Sequence, residues 1–525
     1  MSAELDRALK AGEAEAGARA FDAIIVGGGA AGGLAASLLC EAGLDVLVLD
    51  AGYDAPFWRK PFSQTTNALI RTVADPRLMN FIPPRLINAG RRALRLAGRI
   101  RQPVQTQCFA WEQLPDAFVD DRDFPYETPQ GRPFNWIRAH RLGGRMIIPG
   151  HGRQYYRLGQ SDLDRSDTEH PAWPVSGSEL DPWYTMVEQR LGLAGARDGL
   201  ESPPDSAISQ PLSLTPDEAA LADAISSRWP GASPIVSRYA PPLDTLGAAA
   251  ATGRLWCRSG AVVRTVTKDE TGRASGVEWY DLAARRERTA RAPIVFLCAS
   301  TLESTRILMQ SEGIAEKPGI LGHNLMDHMM VKAEGIGPKL SGDATEVEPG
   351  RCLYIPRFDL CFGRQVNDCG FGVQLYRSSA GERSWFTAVA FCETAPRTDN
   401  RVALDMSRRD ASGNPVLKID FQYNEAEKAL AGHMSAALEE LAGIAGVSLH
   451  SLEKVPAVPG TSVHECGTAR MGAEAATSVV DSHNECWDAP GLYLTDGAAF
   501  PSQGAQNPTL TIMALTARAC AHARR

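Results

Sequence analysis

The sequence predicts an α/β protein whose N-terminal part is a Rossmann-type dinucleotide-binding unit. A glycine-rich turn sits between a short apolar strand and a helix, and an acid closes the next strand about twenty residues on. A third observation, a series of short and partly alternating strands in the second half, predicts an antiparallel sheet with helices as the companion part.

The first element is the apolar, β-branched run at 21–26, which enters Gly27-Gly28-Gly29-Ala30-Ala31-Gly32. An Ala/Leu-rich helical stretch follows to Ala42, then a second strand at 45–49. Gly27, Gly29 and Gly32 form GxGxxG. The first permits a tight turn, the second lets backbone approach a pyrophosphate, and the third packs helix on strand. Phosphate then meets the helix N-terminus. Asp50 ends the second strand, where an acid accepts hydrogen bonds from adenosine ribose hydroxyls and disfavours a 2′-phosphate. At this point NAD and FAD are both open.

Next in order, Arg85, Arg91, Arg92, Arg95, Arg99 and Arg101 interleave with Leu86, Leu94, Leu96 and Ile100 at helical spacing. We read an amphipathic helix with a solvated arginine face, a lid or a subunit contact, in preference to a membrane-surface helix. Between 261 and 300 the chain predicts three short strands (around 262–266, 276–280 and 287–290) and then a buried strand at 294–298. A small β-meander inserted there resembles the two-dinucleotide type of FAD fold more than a nicotinamide dehydrogenase.

Composition narrows the function. The 525 residues, 44% hydrophobic, are enough for two packed cores. A net charge of −8 opposes nucleic acid as a partner, since phosphate binding needs a basic surface. Eleven cysteines without a CxxC pair read as reduced thiols, with no disulfide framework or metal cluster expected. The first twenty residues lack an apolar export core, and no segment approaches the roughly 20 apolar residues of a membrane span. A cytoplasmic protein without membrane association is the expectation.

The most specific residues come last. They are His464-Glu465-Cys466-Gly467-Thr468-Ala469-Arg470-Met471-Gly472, Leu492-Tyr493-Leu494-Thr495-Asp496-Gly497, Phe500-Pro501 and Asn507-Pro508-Thr509-Leu510-Thr511-Ile512. With Leu142-Gly143-Gly144, Leu302-Glu303-Ser304 and Gly322-His323-Asn324-Leu325-Met326-Asp327-His328, this set resembles the glucose-methanol-choline (GMC) oxidoreductases. The resemblance implies a discontinuous FAD-binding domain from 21–60, 130–160, 255–330 and 460–525. It further implies a lid or connecting region at 61–129 and a substrate-binding domain from 161–254 and 331–459. Segments 331–336, 371–376, 386–391 and 401–404 have the short, alternating look of that second domain's strands.

The resemblance also assigns chemistry. Oxidising an alcohol by hydride transfer to flavin N5 needs a base for the hydroxyl proton and a second polar group to hold the oxygen. His464 is the implied base and Asn507 the implied partner. The competing reading makes His464 a structural histidine satisfied by a carbonyl, and Asn507 a helix N-cap with Pro508 at N1. Implied cofactor contacts are Gly27, Gly29, Ala30, Ala31, Gly32, Asp50, Ala51, Gly143, Gly144, Val263, Asp496, Gly497, Asn507, Pro508 and Thr509. The helix starting at Pro508-Thr509 would aim its positive end at the flavin pyrimidine edge.

Where sugar-oxidising relatives of the pyranose-oxidase type carry a His-Trp pair with a covalently bound flavin, this chain has Ile148-Pro149. His151 is at the wrong spacing, so FAD is expected to be non-covalent. Gly152-Arg153-Gln154-Tyr155-Tyr156-Arg157 is similar to a branch acting on sugars, glycosides and aminocyclitols. His323 and His328 are read as structural, with no metal. The expected enzyme oxidises a primary or secondary alcohol of a sugar, glycoside, polyol or aminocyclitol. Its electron acceptor is oxygen or a redox partner, with a dehydrogenase placed ahead of an oxidase and a homo-oligomer left open. A hydroxynitrile-lyase-like enzyme of the same fold and a non-catalytic FAD-binding subunit are the alternatives.

Overall fold

The computed structural model describes residues 2–52, 84–166, 170–316, 319–341, 350–364, 369–380 and 382–525. Residues 53–60 and 61–83, which the sequence reading put in the first cofactor segment and the lid, lie outside the described residues, as do the side chains of Arg85 and Leu86.

Five strands form a parallel sheet in the order Leu492–Leu494, Ile294–Leu297, Ala23–Val26, Val46–Asp50, Leu255–Ser259. Ala23–Val26 at its centre and Val46–Asp50 beside it are buried at every position. Covered faces are what all-parallel strands require, and they explain the unbroken apolar runs at 23–26 and 46–49. Helix Ala30–Glu41 packs with helix Thr509–Ala523 over this sheet. The sequence reading gave residues 1–20 no element. They form a helix, Ala3–Glu15, against the edge strand Leu255–Ser259. Gly12 permits that contact, since a Cβ there would lie 2.2 Å from the Cys257 carbonyl oxygen.

The expected meander is present as an antiparallel sheet of Ala261–Lys268, Ala274–Asp281 and Arg286–Arg291, and leads into Ile294–Leu297. A second large sheet has six strands in the order Ser448–Leu452, Met329–Pro338, Arg383–Cys392, Phe371–Ala380, Leu353–Ile355, Ile235–Val236, all antiparallel. Side chains alternate across it. Val331, Ala333, Val373, Leu375, Phe386, Ala388 and Ala390 enter a core shared with helix Glu425–Ile444. Met330, Lys332, Gln374, Tyr376, Thr387, Val389 and Phe391 point the other way, into a cavity. The expected strand at 401–404 exists, but it joins Pro415–Asp420 and Tyr126–Glu127 in a separate three-stranded sheet.

Helix Pro84–Gly98 covers most of the expected 85–101, but of the expected apolar residues Leu94 is buried while Leu96 and Ile100 are exposed, so no single buried apolar face forms among the described residues. Arg91 and Arg95 share Glu112, and Arg101 pairs with Asp120 and Asp123, while Arg92 and Arg99 are exposed. All eleven cysteines are free thiols. Among the described residues no helix is long and apolar enough to cross a membrane.

Candidate functional site

The carboxyl ends of the parallel strands and the outer face of the six-stranded sheet enclose a cavity of about 820 Å³, within the usual range for small-molecule sites. An open parallel sheet places its ligand at these strand ends. Three helices begin on the cavity wall: Ala30–Glu41, Thr301–Gln310 and Thr509–Ala523. None has a side-chain cap, their N-cap residues being Gly29, Ser300 and Pro508. Uncapped helix N-termini present free N–H groups and positive dipole ends, a match for pyrophosphate and for charge on a reduced flavin.

The implied cofactor residues Gly27, Gly29, Ala30, Ala31, Asp50, Ala51, Gly144, Val263, Asp496, Gly497, Asn507, Pro508 and Thr509 all line the cavity; Gly32 and Gly143 do not. Gly32 acts one layer down, where a Cβ would lie 1.8 Å from the Gly27 carbonyl oxygen, so glycine sets the helix against the turn. Gly143, at φ +95°, turns the chain so that Gly144 faces Gly29. A Cβ on Gly29 would meet nothing within 4 Å, leaving an open cradle above the turn. These residues fit FAD.

Asp50 accepts the Gly28 N–H and the Gly52 N–H, each at 2.7 Å, one on each carboxylate oxygen. A second lone pair on each oxygen remains for a ribose. Asp496 accepts from Ser304 Oγ at 2.5 Å and Ala498 N–H at 3.0 Å, and burial pushes its pKa up to about 6.

His464 and Asn507 meet on the wall, with Asn507 Nδ2 3.4 Å from His464 Nε2. On its other side, His464 Nδ1 lies 2.8 Å from His328 Nδ1. Burial first, with the neighbouring His328, Arg145 and His151 acting in the same direction, holds the His464 pKa well below its ordinary value, so the imidazole is neutral. The backbone before it is strained: Val463 is β-branched yet has φ +59°. Asp327 holds that turn by accepting Ser462 Oγ at 2.6 Å, His464 N–H at 3.0 Å and Gly460 N–H at 2.7 Å. Arg145 Nη1 donates to the Val463 carbonyl at 2.9 Å and to Glu465 at 2.8 Å, and Nη2 to Ser300 Oγ at 3.0 Å.

The cap reading of Asn507 needs correction. The helix starts at Thr509 with Pro508, expected at N1, as its N-cap, and Asn507 lies one residue further out. Its side chain therefore turns away from the helix, accepting from Gln374 Nε2 at 2.9 Å. His151 also lines the cavity, with Nε2 3.5 Å from Cys108 Sγ and its ring stacked on Phe109. His323 does not, and bonds the Thr398 carbonyl at 2.8 Å. His170, Cys369 and Glu393 bring potential ligand atoms within 4.8 Å of one another, but the Arg165 guanidinium lies among them, 2.6 Å from Glu393 and 3.4 Å from Cys369 Sγ. A cation is already in place there.

Sequence reasoning missed Arg145, Gln374 and Tyr376. Arg145 follows Gly143-Gly144 directly, a signal that was available. Gln374 and Tyr376 sit on a strand whose alternation shows a sheet but not what its outer face meets.

Two family models described as GMC oxidoreductase match residues 245–330 and 396–516. Among curated relatives, paromamine 6'-oxidase of Streptomyces fradiae is 25% identical over 94% of this chain and 90% of its own. A 2-methyl-1,2-propanediol dehydrogenase of Mycolicibacterium austroafricanum is 26% identical over 78% and 84%. A C-glycoside 3-oxidase of Microbacterium trichothecenolyticum is 29% identical over 50% and 52%. Of solved structures, pyridoxine 4-oxidase from Mesorbium loti superposes with a TM-score of 0.59 at 18% identity, over 95% of this chain and 98% of that one. At that identity the superposition speaks to the fold.

Proposed function

This chain is a GMC oxidoreductase with FAD as its cofactor, and we propose that it oxidises a primary or secondary alcohol of a small polar substrate: a sugar, glycoside, polyol or aminocyclitol. The observation that carries this reading is the His464–Asn507 pair, a neutral imidazole and an amide N–H 3.4 Å apart on one wall of the cavity. A substrate hydroxyl facing both from the cavity gives its proton to His464 Nε2 and accepts a hydrogen bond from Asn507 Nδ2. FAD, when bound, supplies the hydride acceptor at N5.

The resting imidazole is neutral and enclosed, so its Nε2 is free to take the hydroxyl proton, and His464 becomes charged only on doing so. Arg145, fixed on Glu465 and the Val463 carbonyl, holds the turn that presents His464. Lys332, Thr387 and Glu453 give the cavity polar contacts for a substrate with several hydroxyl or amino groups, and Phe391, whose ring centroid lies 5.6 Å from that of His464, supplies a flat apolar one. The relatives named as a paromamine 6'-oxidase and a C-glycoside 3-oxidase support a sugar-like substrate. The electron acceptor would be oxygen or a redox partner.

The test is the visible spectrum of the holoenzyme, followed anaerobically as sugars, glycosides, aminocyclitols and simple diols are added singly. Bleaching of the flavin band by a polyhydroxylated class supports the proposal. Bleaching only by simple alcohols rejects the substrate class, and a flavin that no alcohol bleaches rejects oxidation in favour of a lyase or a non-catalytic subunit.

A further inference from the structure

We propose that His328, Gln374 and Tyr376 are positioning residues, aligned by the Gly504 carbonyl into one hydrogen-bond polarity that leaves His464 Nε2 bare and turns the Asn507 N–H toward it. The inference rests on the reading of His464 as base, and it reaches further because it says how the base is kept in the competent tautomer.

His328 Nε2 lies 2.7 Å from the Gly504 carbonyl oxygen, which can only accept, so Nε2 carries the proton. Burial holds the His328 pKa down at about 4, so the ring is neutral and its Nδ1 is a bare acceptor. The only way to satisfy the 2.8 Å contact with His464 Nδ1 is for His464 to donate. A neutral His464 protonated at Nδ1 is bare at Nε2. Asn507 must then face Nε2 with its amide nitrogen, leaving Oδ1 for Gln374 Nε2 at 2.9 Å.

The same direction continues outward. Gln374 Oε1 accepts from Tyr376 Oη at 2.9 Å, Tyr376 Oη accepts from Gln154 Nε2 at 2.8 Å, and Gln154 Oε1 accepts from Tyr156 Oη at 3.1 Å. Gly504 is itself anchored: its N–H donates to Glu393 at 3.0 Å, and Glu393 is ion-paired with Arg165. No donor in the chain meets a donor. Reversing any member would bring two donors or two acceptors together and leave buried polar groups unsatisfied. A substrate hydroxyl entering at the 3.4 Å gap therefore finds one acceptor and one donor, as a reacting alcohol needs.

Two kinds of measurement test this on the holoenzyme. With histidine labelled by ¹⁵N, long-range ¹H–¹⁵N spectra are expected to show His464 protonated at Nδ1 and His328 at Nε2, and the opposite tautomer of either overturns the proposal. In anaerobic stopped flow, His328→Leu is expected to slow flavin reduction by about 100-fold, within the span of general-base effects. Substrate affinity is expected to hold. His328→Gln, which can both donate to Gly504 and accept from His464, is expected to recover most of that loss, and Gln374→Leu to cost about 10-fold. Equal loss in His328→Leu and His328→Gln, or no loss in any variant, overturns the proposal. If the tautomers are as stated but no alcohol reduces the flavin, the oxidation reading fails alone; if flavin is reduced with the tautomers reversed, the polarity chain fails alone.

Discussion

Asp327 lies beneath His464 and accepts its backbone N–H at 3.0 Å while also holding Ser462 Oγ and Gly460 N–H. One fully buried carboxylate thus fixes the turn on which the proposed base stands, including the left-handed Val463. Asp327→Ala would leave three donors without an acceptor. We expect a loss of roughly 3 kcal/mol or more in urea unfolding, with slower flavin reduction in the protein that stays folded. Asp327→Asn, which keeps one acceptor oxygen, is expected to fall between. Stability equal to wild type in Asp327→Ala would contradict this role.

Two buried acids give stability a definite pH dependence. Burial first, then the charge of Glu465, pushes Asp327 up to about 7, and burial pushes Asp496 up to about 6. Both lie above the unfolded value of about 3.9. The folded state therefore binds these protons more tightly, and their contribution is fully present below pH about 4 and lost as pH rises through about 6 to 7. Asp496→Asn removes one share. Its stability relative to wild type is expected to improve between pH 5 and pH 8 by about 1.4 kcal/mol, the part of the shift that falls in that window, read by urea unfolding of the flavin-free protein. A difference that is constant across that range would show that Asp496 titrates normally.

Two glycines of the turn make opposite predictions. A Cβ at Gly32 meets the Gly27 carbonyl oxygen at 1.8 Å, so Gly32→Ala should damage folding with or without cofactor. A Cβ at Gly29 meets nothing in the protein and projects into the cradle. Gly29→Ala is expected to leave the melting temperature of the flavin-free protein near wild type while sharply reducing flavin content, measured as the 450 nm to 280 nm absorbance ratio. Full flavin retention in Gly29→Ala would contradict the placement of the pyrophosphate.

These glycines also show what sequence alone made legible. Local signals carry the N-terminal unit: the 23–26 strand, the turn and Asp50 are close in the chain and constrain one another, as do the three meander strands after 261. The strand at 401–404 was read correctly as a strand, but its pairing with Tyr126–Glu127 through Pro415–Asp420 depends on a contact almost 300 residues away in sequence, beyond any local pattern. His464 and Asn507 were legible because they stand in specific motifs. Gln374 and Tyr376 were not, because period-2 alternation sorts faces without saying which face borders a cavity. Asn507 as an N-cap was a sound reading of Asn-Pro by propensity, overridden here by the nearby amide of Gln374.

The most direct measurement of the central claim is single-turnover flavin reduction, without oxygen, in wild type and in His464→Ala, using the alcohol that bleaches wild type fastest. The account predicts that His464→Ala keeps its flavin and its spectrum but is reduced about 10²–10⁴ times more slowly. Reduction of His464→Ala at the wild-type rate would contradict His464 as the base and with it the chemistry proposed for this site.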